Sequence, residues 1–84
     1  MDERVVRIRQ IAEALIDSDG SNGAGASTGE RIAGALAAGH PEWAGYTDGE
    51  GATDVFALME RLGPEWYRLA REAWLQLEES RNPN

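Results

Sequence analysis

Three stretches of the chain carry side chains whose types and spacing suit known chemistry. Asp17-Ser18-Asp19-Gly20-Ser21 offers oxygen-bearing side chains at alternate positions, as the first half of a calcium loop does. The pattern breaks further along. Counted from Asp17, the sixth position requires glycine and holds Asn22, and the twelfth requires a bidentate acid and holds Thr28. Counted from Asp19, Glu30 reaches the twelfth position, but Gly23 and Ala24 occupy the fifth and sixth. The stretch reads as a polar loop rather than an EF-hand.

Gly23-Ala24-Gly25-Ala26-Ser27-Thr28-Gly29 precedes a helical pattern, and free amides at a helix start attract anions. The run follows a helix instead of a strand, lacks the lysine of a Walker-type loop, and places Glu30 where it would repel a phosphate. It reads as a flexible linker ending in a cap. His40 is the only histidine and there is no cysteine. A general base needs a nucleophile and an orienting acid, and no spacing ties Glu42, Ser27 or Thr28 to His40 in those roles. The expectation is therefore no catalytic residue, no metal ligand set and no cofactor.

The third stretch points to recognition. Trp43 and Tyr46 lie among the acids Glu42, Asp48, Glu50 and Asp54. Tryptophan and tyrosine are frequent interface anchors, and carboxylates spread over a small surface can imitate phosphates before a basic groove. These six residues form the predicted partner-binding set. Trp43 has a second reading, as a staple holding its loop to the core.

Those residues must be positioned by helices, because no strand pattern competes. Residues 2–16 carry Val5, Ile8, Ile11, Ala12, Leu15 and Ile16 on one helical face. Asp2 is placed to cap that helix. Arg4, Arg7 and Arg9 sit near its start, where positive charge is unfavourable, so acidic neighbours or a partner must hold them. A flexible glycine-rich loop is expected over 17–26. A second helix over 27–38 opens with the capping-box spacing of Ser27 and Glu30, presents Ile32, Ala33, Leu36 and Ala37, and closes at Gly39. Pro41 opens a short helical turn.

A third helix over 54–62, capped by Thr53 or Asp54, carries Val55, Phe56, Leu58, Met59 and Leu62 as its apolar side. Gly63-Pro64 separates it from the last helix, over 64–80. There Trp66, Leu69, Ala70, Ala73, Trp74 and Leu77 form a stripe, which places both tryptophans in the core. Tyr67 lies beside the stripe with Arg71. Glu65–Arg68 and Arg68–Glu72 are spaced to pair along the helix. Residues 81–84 should fray. The predicted fold is all-α: a compact single-domain bundle of three longer helices and one short one in antiparallel packing.

Composition narrows the function classes. The chain has 84 residues and a formal net charge of -7, with all basic residues arginine. The charge disfavours nucleic acid and anionic lipid and favours basic partners. No run reaches the ~20 apolar residues of a membrane span, and the charged start Met1-Asp2-Glu3-Arg4 leads into no apolar signal segment. A cytoplasmic protein is expected.

In length, acidity, lack of cysteine and absence of a catalytic constellation, the chain resembles the small phage-encoded inhibitors of the anti-CRISPR type. The resemblance is one of class and carries no functional residue over. It implies a stoichiometric inhibitor occupying a nucleic-acid-binding surface of a bacterial defence complex, in the cytoplasm of the host. Two further readings remain beside it. One is a homodimeric structural, adaptor or antitoxin-like module, since a short chain buries little surface and can complete its core by pairing. The other is a regulator that binds a cation or phosphate at the loop between the first two helices.

Overall fold

The computed structural model describes residues 2–45 and 54–81. All regular structure among them is helical: α1 (Glu3–Asp17), α2 (Thr28–Ala37), a 3-10 turn (Pro41–Ala44), α3 (Val55–Leu62) and α4 (Pro64–Arg81). α4 runs one residue beyond the expected end, and residues 82–84 lie outside the described set.

The helix ends follow local chemistry. Asp2 caps α1, its carboxylate accepting the Arg4 amide at 2.9 Å. The predicted capping box forms at α2: the Glu30 amide donates to Ser27 Oγ at 3.3 Å and the Ser27 amide to Glu30 Oε1 at 3.0 Å. At α3 the cap is Asp54, which accepts the Ala57 amide. α1 and α2 both end in a Schellman motif. The amides of Gly20 and His40 return to the carbonyls of Leu15 and Ala35, and those of Asp19 and Gly39 to Ile16 and Leu36. The left-handed residue is Gly39 in one motif and Asp19, at φ 54°, in the other.

The core sits between α1, α2 and α4, with α3 resting on α2 and α4. Val5, Ile8, Ile11, Ala12 and Leu15 of α1 are fully buried, and Ile16, the last residue of the expected stripe, is partly buried against the core. α2 contributes Ile32, Ala33, Ala35 and Ala37. Its small residues let α1 approach so closely that a Cβ on Gly34 would collide with the Ile11 side chain. Trp43 and Leu62 pack against both halves of the core and join them.

Two expected core positions differ. Trp74 is 38% exposed, whereas Trp66 is half-buried against the core and lies under the Arg4 guanidinium, 5.7 Å from the ring centre. Eight residues along a helix return a side chain about 80° away from its starting direction. The two rings therefore cannot both point at the core, and Trp74 falls on the edge of the stripe. Phe56 is 80% exposed. It lies two residues, about 200°, from Leu58, which is the buried residue of α3.

The arginines at the start of α1 have acidic neighbours. Arg4 pairs with Asp2 at 2.9 Å and Glu65 at 2.8 Å, Arg7 with Glu30 at 3.6 Å, and Arg9 with Glu13 at 3.3 Å. Glu65 thus turns to α1 rather than to Arg68 along its own helix.

Candidate functional site

Of the predicted partner-binding set, Glu42, Trp43 and Asp54 fall among the described residues, and Tyr46, Asp48 and Glu50 lie outside them. Trp43 acts as a staple. Its ring lies against Gly20, where an added Cβ would strike it, and contacts both halves of the core. Arg31 fixes this arrangement by donating from Nε to the Trp43 carbonyl and from Nη2 to the Gly20 carbonyl, each at 2.9 Å. A lysine has one nitrogen and could not bridge two loops in this fork. On the outer side His40 stacks on Trp43, with ring centres 4.0 Å apart, and its Nδ1 lies 3.4 Å from Glu42. Asp54 uses its carboxylate as a helix cap. Glu42 is thus the described acid of the set that combines exposure with freedom from a capping role.

The loop between α1 and α2 is held at several points. Ser18 Oγ donates to the Ala14 carbonyl at 2.7 Å and accepts the Asn22 amide at 2.8 Å. Arg7 reaches the Ala24 carbonyl at 3.0 Å. In the calcium-like stretch, Asp19 is the left-handed residue of the α1 terminus and Ser18 is bonded to backbone. Among the described residues no three histidine, aspartate or glutamate side chains gather as a metal site would need. At the start of α2, the Ser27 hydroxyl and the Glu30 carboxylate take amides that an anion would otherwise use. The Ser27 amide, with Arg7 nearby, holds the Glu30 carboxyl below the usual glutamate range. Its negative charge is thereby fixed at that helix end.

A surface the sequence reading missed lies between α2, α3 and α4. Leu36, Met59, Tyr67, Ala70, Arg71 and Trp74 line an open hollow of about 220 Å³. Met59 and Tyr67 also border a second, apolar hollow with Glu60 and Pro64. Phe56, one helical turn before Met59, extends the apolar surface along α3. The signal was present in the sequence: Tyr67 and Trp74 are seven residues apart, so they share one side of α4 off the centre of its stripe.

The charges are distributed unequally. Among the described residues no charged side chain is buried. Arg4, Arg7, Arg9 and Arg31 are engaged within the molecule, while Arg61, Arg68, Arg71 and Arg81 stand exposed with the acids Glu3, Asp17, Asp19, Glu60, Glu72 and Glu79. No described helix is long and apolar enough to cross a membrane. Compared with known proteins, the chain matches no protein family, no curated protein and no solved structure.

Proposed function

We propose that this chain is a protein-binding module that acts by occupying a basic, nucleic-acid-binding surface of its partner, as a stoichiometric inhibitor of the anti-CRISPR class would. The observation that carries this reading is the charge arrangement. Four arginines are tied up in internal contacts while acids remain on the exterior of a chain with net charge -7. The ion pairs among these contacts also neutralise Asp2, Glu13, Glu30 and Glu65, so a partner meets the net negative charge of the chain, carried by the acids left unpaired on the exterior. The field of that charge steers association with a cationic surface and competes with phosphates for it. Glu42 belongs to this contact, together with Tyr46, Asp48, Glu50 and Asp54, while Trp43 holds the turn that carries Glu42.

The test is capture of a basic partner from bacterial lysate at low salt, followed by displacement of DNA from the captured protein. The wild-type chain should displace DNA, and its affinity should fall steeply as salt rises. A variant combining Glu42→Gln, Asp48→Asn, Glu50→Gln and Asp54→Asn should bind roughly tenfold or more weakly. Asparagine preserves the α3 cap, so that loss would report on charge rather than folding. Capture indifferent both to salt and to these four substitutions would overturn the reading.

A further inference from the structure

The apolar face of α3 and α4 is bordered along α4 by Tyr67, Arg71, Trp74 and Glu78. Their spacing of four, three and four residues sets them in one strip. Tyr67 and Trp74 are each more than one-third exposed. Arg71 has no ion pair or hydrogen bond among the described residues, and Glu78 makes a long 3.8 Å contact with Arg81. The face is thus bordered by Arg71 and Arg81 on the one sign and by Glu60 and Glu78 on the other. That balance sets it apart from the acidic exterior. It suits an occupant with the same balance better than a basic one.

We propose that this face is closed by a second copy of the chain, the two α4 helices lying antiparallel about a two-fold axis beside Trp74. A two-fold interface brings the same patch of both copies together, so it must be self-complementary. The midpoint between Arg71 and Glu78 falls between positions 74 and 75. Reversing the helix about that point places each Arg71 opposite Glu78 of the other copy and the two Trp74 rings together at the centre. A parallel arrangement would instead set Arg71 against Arg71. Met59 and Phe56 continue the apolar surface on each side. The two chains repel through their net charge, but at physiological salt the Debye length is about 8 Å. Contacts within the strip therefore outweigh the distant acids. Of the acids assigned above to a basic partner, Glu42 and Asp54 do not line the hollows of this face.

Sedimentation equilibrium on the full chain tests the arrangement without any partner. The wild type should reach a mass of about 18 kDa, twice the 9.1 kDa of one chain. Arg71→Glu alone and Glu78→Arg alone should each dimerise roughly tenfold or more weakly, since like charges then face each other twice. Mixed in equal amounts, those two variants should form a one-to-one heterodimer, because each then meets its opposite. Both positions are on the surface, and circular dichroism checks that the variants remain folded. A wild type that stays monomeric at every concentration overturns the proposal and leaves the face to a different chain. Single variants that dimerise as well as the wild type, or a mixture that forms no heterodimer, overturn the two-fold register. Because mass is read on the isolated chain, failure here is distinct from failure to capture a basic protein.

Discussion

α1 and α4 both carry an apolar stripe, yet they meet different fates. α1 buries Val5, Ile8, Ile11, Ala12 and Leu15 fully and Ile16 in part, whereas α4 buries Leu69, Ala70, Ala73 and Leu77 and leaves Trp74, with Tyr67 beside the stripe, at 38% and 37% exposed. The difference lies in what flanks each helix. α1 is packed against both α2 and α4, and the small residues of α2 bring its backbone close. The outer side of α4 meets α3, which has 8 residues against the 18 of α4. At 1.5 Å per residue, α3 covers about 12 Å of a helix about 27 Å long. A helix can therefore be amphipathic along its whole length and still be covered only where a neighbour reaches.

The largest test of this contrast pairs one residue from each region. Ile11→Ala, inside the α1–α2 contact, should cost about 2–5 kcal/mol of unfolding free energy by urea denaturation. Phe56→Ala, on the uncovered face, should stay within about 0.5 kcal/mol of the wild type, because that ring is 80% exposed. A comparable loss at Phe56 would break the comparison.

A smaller effect is expected where α1 and α2 approach. Gly34→Ala places a methyl group against Ile11, and overpacking of this kind costs about 1–3 kcal/mol. Alanine returns at most about 1 kcal/mol of helix propensity, so the variant should melt below the wild type. An unchanged or raised Tm would show that α1 and α2 separate more easily than the packing implies.

The smallest effect belongs to the helix ends. Asp19 holds the left-handed position that Gly39 holds in the matching motif. Asp19→Gly should relieve the steric cost of that conformation and gain up to about 1 kcal/mol, after glycine's own entropy cost is subtracted. For a domain of this size that is up to about 4–8 °C in Tm. A fall in Tm would mean that the Asp19 carboxylate has a stabilising role outside its backbone conformation.

The local setting of Glu42, Trp43 and Asp54 was readable in the sequence. Glu42 and Trp43 fall in the short turn opened by Pro41, and Asp54 caps α3, because proline and cap residues act on neighbours a few positions away. Trp43 carried two sequence readings, and the staple is what the structure shows. Its contacts with Gly20 and Arg31 join positions more than ten residues apart, which no local pattern encodes. The uncovered face was missed for the same reason. Spacing shows which side chains share a side of a helix but not whether another helix lies over them.

The sequence by itself determined the helices, their caps and the α1 stripe, since these depend on hydrogen bonds and periodicity within about one helical turn. It also set the excess of acid over arginine. Tertiary structure alone decided which arginines became internal clamps, that Arg4 and Glu65 would meet, and that Trp74 and Phe56 would remain uncovered. Those outcomes depend on how far one helix extends along another and on contacts between residues distant in the chain, and neither quantity is written in local spacing.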